Sequence, residues 1–133
     1  MRYLLGSDMI DRYPVKCLVL DDDQDGAEIV GEFLKVLGAD VRVVYSGQAA
    51  IDIAPGFQPQ MVVLDINMPE IDGFETCRRL KQQRWSDEAV FIAYTAMPSR
   101  RLALVTAGFD HVVSKGDSPL VFETILNGLV CRT

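Results

Sequence analysis

Short apolar runs alternate with amphipathic stretches along most of this chain, and turn residues fall at nearly every junction. The runs Cys17 to Leu20, Val41 to Tyr45, Met61 to Leu64, Ala89 to Tyr94, and Val112 to Val113 with its flanks predict five strands. Unbroken runs such as Cys17-Leu18-Val19-Leu20 suit strands covered on both faces, which is where parallel sheets place them. Ile29, Phe33 and Val36 with Val30, Leu34 and Leu37 form an apolar stripe at helical spacing, and Gly38 stands where a C-terminal cap belongs. Ser46 caps a second predicted helix that runs through Ile53 and stops at Pro55-Gly56. Phe74, Cys77 and Leu80 mark the buried side of a third, ending near Gln83. A fourth runs from about Ser99 to Ala107, capped by Gly108, and a fifth begins at Ser118-Pro119 and buries Leu120, Ile125, Leu126 and Leu129. Residues 1–14 show no sustained period, so an irregular extension is expected there, ahead of a single domain over 15–133.

Strand and helix in strict alternation, with right-handed crossovers, predict an α/β fold: a flavodoxin-like, doubly wound parallel sheet of order 2-1-3-4-5 with helices on both faces. A length of 133 residues gives room for one such domain. The net charge of −6 repels phosphate backbones and anionic headgroups, so no nucleic-acid or membrane partner is expected of this chain alone. Cys17, Cys77 and Cys131 are scattered and lack CxxC spacing, which predicts reduced structural thiols and no zinc site. The longest apolar run, Ala89 to Tyr94, falls far short of the roughly 18 residues of a membrane span, and no signal-peptide pattern opens the chain. A cytoplasmic, soluble protein is expected.

In an open parallel sheet of this order, ligands sit beyond the carboxyl ends of the strands, where strand order reverses between the first and the third. Asp21, Asp22 and Asp23 follow the first strand, and Asp65 follows Leu64 of the third. Carboxylates brought together in this way raise one another's pKa or demand a counter-ion, and a hard divalent cation with oxygen ligands is the usual resolution. Mg²⁺ is the expected metal, with Asp21, Asp22 and Asp65 as ligands. Thr95 closes the fourth apolar run and Lys115 the fifth, which brings a hydroxyl and an ammonium to the same edge. Such a set suits a phosphoryl group on Asp65 acting as nucleophile, the product being an acyl phosphate.

Asp21-Asp22, Asp65-Ile66-Asn67-Met68-Pro69 with Asp72-Gly73, Thr95-Ala96 and Lys115 together resemble the response-regulator receiver family over roughly residues 16 to 131. That resemblance implies Asp65 as phosphoacceptor, Asp21 and Asp22 as metal acids, and Asn67 as a ligand through its backbone carbonyl. It also implies Thr95 as switch hydroxyl and Lys115 as phosphate partner. The donor would be a histidine kinase or a histidine phosphotransfer protein, in two-component signalling. Activity beyond magnesium-dependent self-phosphorylation and self-dephosphorylation is not expected, and the residues 47 to 73 look most like receivers attached to hybrid sensor kinases. Two positions depart from the family: Gly116 follows the lysine where proline is usual, which predicts a looser loop. Val112 stands where a Tyr or Phe ring commonly reports the switch.

Other readings compete for the same residues. Asp21-x-Asp23-x-Asp25-Gly26 followed by Glu32 satisfies the written EF-hand loop, but a strand-like run precedes it and Glu32 falls inside the first helix. An aspartyl phosphatase would also place a nucleophilic Asp after a parallel strand, yet Asn67 stands where its acid-base Asp should be. A degenerate receiver that only docks partners would leave the acids as a solvated edge. His111 is assigned to a strand edge, Trp85 to anchoring a loop. Only Arg132 and Thr133 follow Cys131, so the effector is expected to be another protein or another part of a longer chain. Asn67 and Met97 are expected near the path of attacking water, with faster loss of phosphate in a Met97→Glu variant.

Overall fold

The computed structural model describes residues 14–68, 70–96 and 100–130. All but Pro14 of the extension expected over 1–14 lies outside them, as do the helix start at Ser99, Met97 and Cys131. The elements run β1 (Lys16–Leu20), α1 (Gln24–Val36), β2 (Asp40–Val44), α2 (Gly47–Phe57), β3 (Met61–Asp65) and α3 (Gly73–Lys81). A 3₁₀ helix (Arg84–Glu88) then leads into β4 (Val90–Thr95), α4 (Arg101–Ala107), β5 (His111–Ser114) and α5 (Leu120–Val130). The five strands pair in parallel in the order β2-β1-β3-β4-β5, as the alternation predicts.

Alternate residues of each strand divide the core in two. Leu18, Leu20, Val62, Leu64, Phe91, Ala93 and Val112 pack with Ala50, Ala54, Cys77, Leu80 and Leu104 of α2, α3 and α4. On the other face Cys17, Val19, Met61, Val63, Ile92 and Val113 pack with Val30 and Leu34 of α1 and Phe122, Leu126 and Leu129 of α5. Trp85 anchors the 3₁₀ helix, its ring stacked 6.2 Å from that of Phe91. His111 begins edge strand β5 and is exposed.

Three expected helix faces or ends need correction. In α1 the buried residues are Ala27, Val30, Gly31 and Leu34, whereas Ile29 is 69% and Val36 82% exposed. The helix lies so close to the sheet that a Cβ on Gly31 would come within 2.7 Å of Val43 Cγ2, so smallness as well as apolarity selects the buried side. In α5, Leu120 is exposed and Phe122 joins Leu126 and Leu129 inside.

The second helix runs past Pro55-Gly56 to Phe57 and ends at Gln58 in the left-handed region (φ 51°). Proline at position 55 removes the N–H that would bond the Ile51 carbonyl one turn back. Gln83 supplies the substitute: its Nε2 donates to Ile51 O at 3.3 Å, and Trp85 Nε1 donates in turn to Gln83 Oε1. A Gln83→Ala variant is expected to lose about 1 kcal/mol of stability in urea unfolding, because a part-buried carbonyl is left without its donor. In a Pro55→Ala background, where the helix supplies that donor itself, most of the loss should vanish.

Candidate functional site

The register of β1 against β3 pairs Leu20 with Leu64. Asp21 and Asp65 therefore leave adjacent strands at the same level. Oxygens of Asp21, Asp22 and Asp65 all lie within 4.8 Å of one another. Asp21 and Asp65 are 4% and 6% exposed, so they are not a solvated surface run, while Asp22 faces solvent. Asp21 Oδ1 accepts from the amide of Asp23 at 2.9 Å, which fixes the carboxylate at the mouth of the loop before α1. Asn67 stands two residues beyond Asp65, exposed. Thr95 ends β4 and is buried.

Lys115 follows β5 and reaches back across the edge. Its Nζ donates to Asp21 Oδ2 at 2.9 Å and lies 3.5 Å from Asp65 Oδ1. Its amide donates to Thr95 O at 2.9 Å, joining the ends of β4 and β5. The loop that carries it is tied down without proline. Asp117 N donates to Ser114 O at 2.9 Å, Gly116 N donates to Ser114 Oγ at 3.2 Å, and Ser114 N donates to Asp117 Oδ2 at 3.4 Å. Gly116 does not use the positive φ open to glycine, and these bonds close the segment into a turn.

Burial, then the charge and hydrogen bond of Asp21, push the Asp65 carboxyl up to about 7; Lys115 works in the opposite direction, and Asp22 adds to the rise. Partial burial works against the Lys115 ammonium, but its hydrogen bond to Asp21 and the charges of Asp21 and Asp65 outweigh that and raise its pKa. One lysine thus leaves the acids under-compensated. A cluster made only of carboxylate oxygens, with one acid this reluctant to ionise, fits a hard divalent cation.

A raised carboxyl pKa means that the native state holds a proton the unfolded chain has released. The contribution of Asp65 to stability is therefore present below the ordinary carboxylate range and is lost as pH rises through about 7. Without divalent cations, the melting temperature of the native protein is expected to fall relative to that of an Asp65→Asn variant as buffer is taken from about pH 5 to about pH 8. Magnesium should recover more at the upper pH than at the lower. Parallel curves for the two proteins would contradict this.

The EF-hand reading fails on geometry, since strand β1 and not a helix enters the loop and Glu32 lies within α1. Burial pushes the Cys17 thiol up to about 12 and the Cys77 thiol up to about 11, so both are protonated, inert packing groups near neutrality. Two further residues near the site matter, one of them part of the Asp72-Gly73 step and the other without a signal in the sequence. Gly73, at the start of α3, sits directly under the Asp65 and Ile66 backbone. Tyr94, one residue before Thr95, places its ring 5.6 Å from Lys115 Nζ. An Asp-Gly step at a helix start points to the first; nothing in a strand's apolar run distinguishes the second.

Fold and acidic rim together define a flavodoxin-like α/β domain whose chemistry lies at the carboxyl edge of its sheet. The family model for the response regulator receiver domain matches residues 17–126, and the chain belongs to that family, the receiver modules of two-component signalling. It is 35% identical over 115 residues to the response regulator MprA of Mycolicibacterium vanbaalenii, covering 85% of this chain and 48% of that protein. The chain spans about half the length of the curated relatives it matches. The crystal structure of response regulator DrrB, an OmpR/PhoB homologue of Thermotoga maritima, superposes with a TM-score of 0.76 at 29% identity, over 90% of this chain and 54% of that one. The receiver domain of sensor histidine kinase PA1611 from Pseudomonas aeruginosa superposes with a TM-score of 0.78 at 22% identity, over 89% and 98% of the two chains. That structure holds a magnesium ion in its active site cleft. Among the described residues no helix is long and apolar enough to cross a membrane.

Proposed function

We propose that this domain accepts a phosphoryl group on Asp65 from the phosphohistidine of a histidine kinase or histidine phosphotransfer protein. A carboxylate oxygen of Asp65 forms the new O–P bond as the donor's N–P bond breaks; the electron pair stays on the imidazole nitrogen, which takes up a proton. Asp21, Asp22, the Asp65 side chain and the Asn67 backbone carbonyl are the groups that would hold magnesium, which when bound neutralises charge on the phosphoryl oxygens. The ion in the PA1611 receiver supports that choice of metal. Lys115 pairs with a phosphoryl oxygen, and the Thr95 hydroxyl donates to another. Asn67 offers no acid-base group to the acyl phosphate, so its loss is slow self-dephosphorylation and not turnover.

The observation that carries this reading is the meeting of Asp21, Asp22 and Asp65 within 4.8 Å, with Lys115 between two of them. The new charge draws Lys115 and Thr95 inward and biases the surface formed by α4, β5 and α5 toward an effector protein or adjoining domain. The net charge of −6 argues for protein partners of this domain and against nucleic acid, and its inert thiols suit the cytoplasm. Incubation with acetyl phosphate and Mg²⁺, followed by mapping of the base- and hydroxylamine-labile label, should place it on Asp65. A label elsewhere, or none, would overturn the proposal.

A further inference from the structure

Lys115 is held by more than carboxylates. Its Nζ stands 5.6 Å from the centroid of the Tyr94 ring, and the same ring meets Phe122 of α5 edge to face, at 5.2 Å and 73°. Tyr94 is the penultimate residue of β4, in register with Asp65 of β3 on one side and Val113 of β5 on the other. It packs on the sheet face that α1 and α5 cover, opposite the face on which Val112 lies. Tyr94 is half-buried and Phe122 fully buried. A single aromatic side chain therefore bridges the site ammonium and the interior of the last helix.

We propose that Tyr94 is a positioning residue that holds the Lys115 ammonium at the site and transmits its displacement to α5 through Phe122; this rests on the reading of Asp65 as phosphoacceptor. The negative face of an aromatic ring attracts a cation, and the attraction strengthens where water is partly excluded. In the resting arrangement the ammonium is shared among Asp21, Asp65 and the ring. A phosphoryl group on Asp65 adds up to about two negative charges at that carboxylate. Lys115 then moves toward it, and the ring loses the charge that held it on one side. Interiors at native density do not absorb such a change locally, so the edge-to-face pair must resettle and carry Phe122 with it. With no ring at Val112, this path replaces an aromatic on β5 and leads to the opposite sheet face.

The test compares native protein, Tyr94→Phe and Tyr94→Leu. Acetyl phosphate labelling with Mg²⁺ should proceed at the native rate in Tyr94→Phe, which keeps the ring, and about two- to fivefold more slowly in Tyr94→Leu. On addition of Mg²⁺ and beryllofluoride, amide signals near Asp65 should shift in all three proteins. The Phe122 ring and α5 amides should shift fully in native and Tyr94→Phe and by less than half in Tyr94→Leu. A Phe122→Leu variant, which leaves the lysine and its ring in contact, should label at the native rate yet lose the α5 response, and it serves equally if Tyr94→Leu does not fold. Full α5 shifts in Tyr94→Leu or in Phe122→Leu, or Phe122 signals that stay put in the native protein while Asp65 responds, would overturn the relay alone. No response near Asp65 in native protein would instead remove the phosphoacceptor reading beneath it.

Discussion

An Asp65→Asn protein is expected to take up no phosphoryl group from acetyl phosphate in magnesium, a loss of at least about a hundredfold against the native chain, since an amide oxygen is a far poorer nucleophile than a carboxylate. The same change should make the metal-free protein more stable near neutrality, by about 1–2 kcal/mol, because a buried charge facing Asp21 disappears. Opposite signs for activity and stability distinguish a functional acid from a structural one. Denaturant unfolding in a chelating buffer reads the second effect, and phosphate incorporation reads the first. An Asp65→Asn protein that still incorporates phosphate at the native rate would show that the acceptor lies elsewhere.

Gly73→Ala is expected to be the most damaging single-methyl substitution near the site. A Cβ there would stand 2.5 Å from the Asp65 carbonyl oxygen and 2.7 Å from Ile66 Cα, and both obstacles are backbone. The glycine amide also donates to Ile66 O at 3.0 Å, so α3 cannot back away without breaking the bond that seats it. The expected cost is about 2–3 kcal/mol, together with slower phosphorylation as the end of β3 is pushed aside. Gly128→Ala provides the control. It lies in α5 with open space where its Cβ would go, and alanine should stabilise that helix by up to about 1 kcal/mol. Paired thermal unfolding of the two variants decides it; equal effects would mean that the close approach at Gly73 is relieved by small movements.

Much of the site is legible in one dimension because the acids, the threonine and the lysine all fall where an apolar run gives way to polar residues, and the existence of such runs is what the pattern shows best, even though β2 and β4 are each displaced by one residue. The β1 and β3 runs needed an adjustment of only one residue at one end. Distance was less accessible. The sequence could not say that Lys115 bonds Asp21 more closely than Asp65, nor that Tyr94 would lie against it. Helix faces failed where hydropathy is a poor guide to proximity: Ile29 and Val36 are apolar but point outward, while Gly31 is buried because there is no space for a side chain. Pro55 misled for a different reason. Its local rule is sound, but a glutamine from beyond α3 supplies the missing donor, and no window of neighbouring residues contains that fact. The 3₁₀ helix was missed likewise, since its polar Ser86 is buried by bonding the carbonyls of Lys81 and Gln83.

The all-parallel pairing of the sheet also bears on how the molecule assembles. No two of its strands can zip together through a tight hairpin; Cys17 must find Met61 across the intervening α1, β2 and α2 before Asp21 and Asp65 become neighbours. The repulsion between those acids is thus absent from early, loosely organised chains and arises only late in the search. A cation that relieves it would act mainly by slowing escape from the finished state, leaving the speed of arrival little changed.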